Sequence, residues 1–391
     1  MTKALLVMND PYPTERPDVA VLFGSALPGL GLSVDLLAMG HVEAAGAQWT
    51  GGKAMVTRTK LGMFARFVAI LAREMLGARS ARYDVIIVRD LIVLAWLARW
   101  LVDRQRLHYW MSYPYPQADR LQASIGLESA HRRFLRRCRS VLYSTILYRA
   151  VLPGLAHLFV QSDAMRESVR RRGSRDLAMT VVPMGTDIAT VRQFTPAEPR
   201  NLAPARPFRL VYLGLLDRSR DPEFLLRVMK VLNEREPGAF ALQLIGGTSW
   251  PAEFDWLANR IEQMKLKAEV SLTGRLPMRD ALLRCSSHDA GLSAIPRGEL
   301  FDVSSPTKLV EYLALALPVV VNDIPDQTVT IENTGAGICC PMNEDQFAEA
   351  IVRLRDDYPR FANAAFQARH WVQRERGYDR LGRKVAAALG R

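Results

Sequence analysis

Long apolar runs are missing from this 391-residue chain. The nearest, Leu91–Val102, is short and broken by Arg99, whereas a membrane-spanning helix needs about 20 apolar residues. Cysteine is scarce: Cys138, Cys285, Cys339 and Cys340 are all there is. No pair of them has metal-ligand spacing, and no secretory signal with a cleavage site is apparent. Four small buried thiols in a reducing cytosol are expected, rather than a disulfide scaffold. No repeat, low-complexity tract or convincing Asp-x-Asp metal motif is present.

Hydrophobic residues make up 49% of the chain, enough for two full cores at this length. The net charge of +12 is unevenly placed. Residues 1–190 hold 25 Lys/Arg against 15 Asp/Glu, so nearly all the excess lies in the first half. A one-sided basic surface implies an anionic partner.

Short buried runs alternate with helical patterns. Ala4–Met8, Ser33–Ala38, Asp84–Val88, Leu107–Met111 and His157–Gln161 read as strands. Leu61, Phe64, Val68, Leu71 and Met75 recur at helical spacing. A polar stretch with Pro196, Pro199, Pro204 and Pro207 follows and reads as a linker. The alternation then restarts with Phe208–Leu213, Ala241–Ile245, Glu269–Thr273, Asp289–Ser293, Leu317–Asn322 and Gly337–Cys340. This is the pattern of two α/β domains, each a parallel doubly wound sheet. The expected bounds are 1–192 and 208–365, with a helical tail at 366–391. Trp371 and Tyr378 are placed to pack that tail back on the first domain.

Ligands of such sheets sit at the carboxyl ends of strands, where Gly214, Gly246, Gly247 and Gly274 fall. The segment Ser304–Asp323 carries the clearest chemistry. Ser305 is a good N-cap and Pro306 suits a first helical position. The N–H groups of that helix start form an anion site. Thr307, Lys308 and Glu311 share one helix face. Phosphate would sit at the tip, and the Glu311 carboxylate one turn down could accept from two ribose hydroxyls.

The run Ser305-Pro306-Thr307-Lys308-Leu309-Val310-Glu311-Tyr312-Leu313-Ala314 resembles the donor-binding signature of glycosyltransferase family 4. Val181–Asp187, Tyr212-Leu213-Gly214 with Arg218 and Arg220, and Val270–Gly274 resemble other parts of that family. The resemblance implies the GT-B fold: two Rossmann-like doubly wound domains facing across a cleft. It implies a retaining, metal-independent hexosyltransferase with a UDP- or GDP-sugar as co-substrate and no cofactor. In the roles it implies, Arg220 and Lys308 are catalytic, neutralising the departing diphosphate. Gly214, Arg218, Gly246, Gly274, Arg275, Ser305, Thr307, Lys308 and Glu311 bind the donor. No metal ligand is expected.

Three positions depart from the family. Val303 stands where a sugar-contacting glutamate is usual, with Asp302 and Glu299 as nearby substitutes. Leu215 replaces an arginine, and Ser112 replaces a histidine. Asp10, Pro11, Arg16, Asp18, Arg89, Asp90, Ser112 and Tyr113 follow or end first-domain strands. Asp18, Arg89, Ser112 and Tyr113 are the chosen acceptor-side candidates.

The segment Ala130–Leu152 carries Arg132, Arg133, Arg136, Arg137 and Arg139, with Phe134, Leu135, Cys138, Val141 and Leu142 on its other side. Arg66 and Arg73 flank the earlier apolar stripe. Basic amphipathic helices suit an anionic membrane surface. The expected partners are thus a nucleotide sugar, a lipid-linked or saccharide acceptor and an anionic membrane, with no nucleic acid. The expected place is peripheral, on the cytoplasmic face of the membrane, in bacterial surface polysaccharide synthesis. Two other readings stay open. One is a non-catalytic basic protein binding membranes or nucleic acid on the same fold; the other is a nucleotide-sugar epimerase.

Overall fold

A computed structural model describes residues 2–14, 16–40, 49–76, 83–125, 129–202 and 207–390. The chain forms two compact units, Met1–Pro183 with Tyr378–Arg391, and Met184–Gly377.

In the first unit seven parallel strands lie in the order β3-β2-β1-β4-β5-β6-β7. They are β1 (Thr2–Tyr12), β2 (Leu32–Gly40), β3 (Ala54–Thr57), β4 (Val85–Arg89), β5 (Leu107–Met111), β6 (His157–Val160) and β7 (Met179–Val181). Leu5–Met8 and Ile86–Val88 are wholly buried, as strands covered on both faces must be. The helices are α1 (Pro17–Ala20), α2 (Leu27–Gly29), α3 (Lys60–Leu76), α4 (Ile92–Leu101), α5 (Tyr115–Ile125), α6 (Ala130–Thr145) and α7 (Asp163–Arg171).

The second unit has six parallel strands in the order β10-β9-β8-β11-β12-β13. Its elements begin with α8 (Ile188–Arg192), β8 (Phe208–Leu213), α9 (Pro222–Arg235), β9 (Phe240–Ile245), α10 (Pro251–Gln263) and β10 (Val270–Leu272). They continue through α11 (Met278–Ser286), β11 (Ala290–Ser293), α12 (Thr307–Ala314), β12 (Val319–Asn322) and α13 (Pro325–Thr334). Last come β13 (Gly337–Cys340), α14 (Glu344–Asp356) and α15 (Tyr358–Arg376). One apolar cluster joins α9 and α14 to the sheet; another joins α11, α12 and α15 to it. The sheet is therefore covered on both faces.

The unit boundaries differ from the sequence expectation. The division falls after Pro183, not within 193–207, because Val191 of α8 is buried in the second unit's core. Arg200 also belongs there, bonding the carbonyls of Ser286, Leu315 and Ala316. Pro204 lies outside the described residues. The tail divides as well. Trp371 on α15 packs in the second unit, whereas α16 (Tyr378–Ala388) joins the first. There Tyr378, Leu381 and Val385 are buried with Leu22, Phe23 and Leu27. Of the four cysteines only Cys285 is buried, and Cys138 is exposed.

Candidate active site

The order of the second sheet reverses direction between β8 and β11, which opens a crevice at their carboxyl ends. β8, β9 and β10 end there at glycines with positive φ: Gly214 at 151°, Gly246 at 152° and Gly274 at 72°. Close approach of backbone requires glycine at Gly246, and a side chain at Gly214 would crowd a neighbour. A Cβ on Gly246 would stand 1.8 Å from the Gly214 carbonyl oxygen. A Cβ on Gly214 would press on the Lys308 Cε and Nζ at 3.3 Å. Gly246→Ala is expected to cost about 2 kcal/mol through backbone displacement, read as a lower denaturant midpoint at unchanged slope.

The helix that faces these glycines is α12. Leu309, Val310 and Leu313 are buried, and the Tyr312 hydroxyl accepts from the Leu213 N–H at 2.6 Å. Tyr312 thereby ties the helix to the end of β8. No side chain caps α12, so its first-turn N–H groups are left for a ligand. Ser305 is not the N-cap expected from the sequence; Pro306 takes that place. The Ser305 hydroxyl is committed elsewhere. It accepts from the Met184 N–H at 3.0 Å and from Arg376 Nη1 at 3.1 Å, and donates to Asp326 Oδ2 at 2.9 Å. Arg376 also pairs with Asp326 at 2.8 Å. Ser305 thus holds the segment before the helix in place.

Lys308 and Glu311 lie one turn apart. Lys308 Nζ stands 3.7 Å from the centroid of the Tyr212 ring. Burial first, and then the like charge of Arg220, push its pKa well below the ordinary lysine value, while Glu311 pulls the other way. Glu311 is 4% exposed. Burial raises its carboxyl to about 7, against a smaller opposing effect of Lys308. Arg220 lies in a short turn, Arg218–Arg220, with its guanidinium 4.8 Å from the Phe301 ring centroid.

Among the described residues, the side chains of Arg220, Lys308 and Glu311 make no hydrogen bond or ion pair. Several arginines of the unit do bond a carboxylate, Arg227, Arg235, Arg260, Arg297, Arg355 and Arg376 among them, whereas Arg200, Arg279 and Arg369 bond only neutral oxygens. Two cations seated on aromatic rings and one carboxylate, none of them hydrogen-bonded or ion-paired, form a set that can neutralise an anion and accept from hydroxyls.

The other expected donor residues divide. Thr307 begins α12 and is half-buried. Arg275 is exposed after Gly274. Arg218 is turned against α10, its guanidinium 4.5 Å from the Trp256 ring centroid. Near Val303, which is buried, Asp302 is bonded to Arg297 at 2.7 Å and so is not a free substitute for a sugar-contacting glutamate. Glu299 is exposed.

In the first unit the acceptor-side candidates are largely occupied with one another. Arg89 is 1% exposed and bridges Asp10 and Asp18, the latter at 2.6 Å. Arg16 adds contacts to both acids. Burial raises the Asp18 pKa, but Arg89 and then Arg16 outweigh it and hold the carboxyl below its ordinary value. Asp18 and Arg89 therefore form a buried ion network, not free acceptor contacts. Asp90 has a φ of 59°. It accepts from the Ser112 N–H at 2.9 Å, from the Ser112 hydroxyl and from the Tyr113 N–H at 3.3 Å. Burial raises its pKa to about 6, with Arg89 opposing. The Ser112 hydroxyl is thus engaged as a donor. Tyr113 packs edge-on against Tyr115. His108 is a buried strand residue, its pKa pushed down to about 4 by burial.

Sequence reasoning did not assign Tyr212 or Arg376 to this region. Tyr212 lies two residues before Gly214, on the same side of β8, and that period of two was the available signal. Arg376 is 71 residues from Ser305, and nothing local marks it.

Two doubly wound parallel-sheet units are the architecture of the GT-B fold. Residues 18–185 match the family model of the glycosyl transferase 4-like domain, and residues 207–357 match that of the glycosyl transferases group 1. By both domains, this chain belongs to the GT-B glycosyltransferases. No curated protein matches it in sequence. Among solved structures it is similar to HepE from Anabaena in complex with UDP and glucose: 14% identity, TM-score 0.72 and 100% of each chain covered. It is also similar to sucrose-phosphate synthase from Thermosynechococcus elongatus: 18% identity, TM-score 0.68, covering 99% of this chain and 98% of that one. The lipopolysaccharide outer core galactosyltransferase WaaB is 14% identical at a TM-score of 0.64, with 100% and 99% covered. At these identities the likeness is one of fold.

Proposed function

We propose that this glycosyltransferase moves a hexose from a UDP- or GDP-sugar to a lipid-linked or polysaccharide acceptor, with retention and without a bound metal. The observation that carries the reading is the set Arg220, Lys308 and Glu311, none of them hydrogen-bonded or ion-paired, beside an uncapped helix start. Glu311 accepts from the ribose hydroxyls. The first-turn N–H groups of α12 and Thr307 hold the distal phosphate. Arg220 and Lys308 neutralise the diphosphate as it takes the electron pair of the anomeric C–O bond. The acceptor oxygen then bonds the same face of that carbon, and its proton passes to the departing phosphate oxygen. Two fixed cations at the phosphate supply the charge a metal ion would otherwise bring. A uridine donor is supported by HepE, solved with UDP and glucose. A surface-glycan acceptor is supported by the likeness to WaaB. The proposed setting is bacterial surface polysaccharide synthesis, with the protein peripheral on the inner face of the membrane.

The test is thermal melting with UDP, GDP and ADP. One of them is expected to stabilise the protein, by about 2.7 kcal/mol at a hundredfold excess over its Kd. The absence of a shift with all three would overturn the proposal. A hydrolysis and transfer screen over nucleotide sugars then identifies the donor.

A further inference from the structure

The orientation of α6 is the reverse of what an amphipathic helix does on a protein core. Phe134 and Val141 are 63% and 64% exposed, and Leu135 and Leu142 are exposed beside them. These positions recur at helical spacing and form one outward apolar stripe. The inward face is polar. Ser140 is its buried residue and donates to the Pro116 carbonyl, while Arg136 and Arg139 pair with Asp119 on α5. The chain has thus used polar contacts to seat the helix and left its apolar side without a partner.

The neighbouring helices continue the pattern. Right-handed crossovers in the order β3-β2-β1-β4-β5-β6-β7 place α3, α4, α5 and α6 on the same face of the sheet. α3 contacts α4, and α4 contacts the turns at Ile146–Val151 that continue α6. α4 exposes Trp96 and Trp100, the latter at 67%, and α3 exposes Leu61 and Leu76. Lys60, Arg66, Arg73, Arg132 and Arg137 are exposed on these helices, which carry no exposed acidic side chain. Among the described residues their two acids, Glu74 on α3 and Asp119 on α5, are buried and paired, the first with Arg106 and the second with Arg136 and Arg139.

We infer that this face of the first unit docks on an anionic lipid bilayer, with α6 lying in the interface and its apolar stripe inserted. The inference rests on the membrane part of the proposed function and gives it a surface. The charge pattern selects the occupant. A second copy meeting this face by symmetry would bring arginines against arginines. An anionic headgroup layer offers negative charge to the arginines, acyl chains to the stripe, and an interface for Trp96 and Trp100.

The test is co-sedimentation of the full chain with vesicles of phosphatidylcholine alone, or mixed with phosphatidylglycerol, at low and high salt. Binding is expected only with the anionic lipid and is expected to weaken with salt. Replacing Phe134, Leu135, Val141 and Leu142 by serine should weaken binding by about tenfold or more. Arg132→Ala with Arg137→Ala should weaken it and flatten its salt dependence. Both variants should keep a cooperative melt and the parent's response to nucleoside diphosphates, so a failure here is distinguishable from a failure of the donor site. Parent protein that ignores anionic vesicles would overturn the inference. So would a serine variant that binds them as the parent does, or a face that instead makes dimers dispersed by the serine changes.

Discussion

Glu311→Gln is expected to melt higher than the parent above pH 7 and yet to bind nucleoside diphosphate more weakly. The two effects share one cause. In the folded protein burial raises this carboxyl from an ordinary 4.5 to about 7. Between those values the unfolded chain has released the proton and the native one retains it. The contribution to stability is present in full below about pH 4.5 and is lost as pH rises through 7. The shift corresponds to about 3 kcal/mol, which a neutral glutamine does not forfeit. The melting difference should therefore grow with pH and level off above 7. Ligand binding runs the other way. Ribose hydroxyls donate best to an ionised carboxylate, so affinity should rise towards pH 7 with proton release on binding. Glutamine keeps an acceptor but not the charge, so an affinity loss of about tenfold to a hundredfold is expected, and alanine should lose more. Calorimetry in buffers of different ionisation enthalpy reads both quantities. A glutamine variant with the parent's affinity, or parent binding that is flat with pH, would remove Glu311 from the site.

Arg220→Ala and Lys308→Ala should each lower kcat/KM by about 10²- to 10³-fold, with most of the loss in kcat. The charge they meet is greatest as the diphosphate departs, so substrate binding alone underuses them. The two losses should not add. Arg220 depresses the proton affinity of Lys308, so removing Arg220 lets Lys308 hold its proton to higher pH. The alkaline limb of the pH profile should then move upward in Arg220→Ala. A rise in KM with kcat unchanged would reduce both residues to ground-state binding. An unmoved alkaline limb would separate Lys308 from the chemistry.

Strands covered on both faces read as mostly apolar runs, which is why Phe208–Leu213 and Leu107–Met111 were legible residue for residue. β3 and β7 were not, being short, mixed edge strands of four and three residues. On α3 the spacing suggested a stripe through Leu61, Phe64, Val68, Leu71 and Met75. The core takes Leu71 together with Met63 and Phe67, Val68 is half-buried, and Leu61, Phe64 and Met75 are exposed. Periodicity shows that a helix has an apolar side but not which way it faces, and α6 is the larger instance. Asp18 and Arg89 looked like site residues because charged groups at strand ends often are. Only the fold shows that they neutralise each other.

What the sequence determined alone was the pair of doubly wound sheets, the glycines at the strand ends and the run Thr307–Glu311. These depend on local rules of burial period, backbone freedom and helix-face spacing, which act within a few residues of chain. Tertiary structure decided which polar and charged groups remain available. Ser305 is taken by Arg376 and Asp326, Asp302 by Arg297, and Arg89 by two aspartates, whereas Arg220, Lys308 and Glu311 are left open. Whether a charge is paired depends on partners tens of residues away, and burial then sets its cost, so no local pattern could report it.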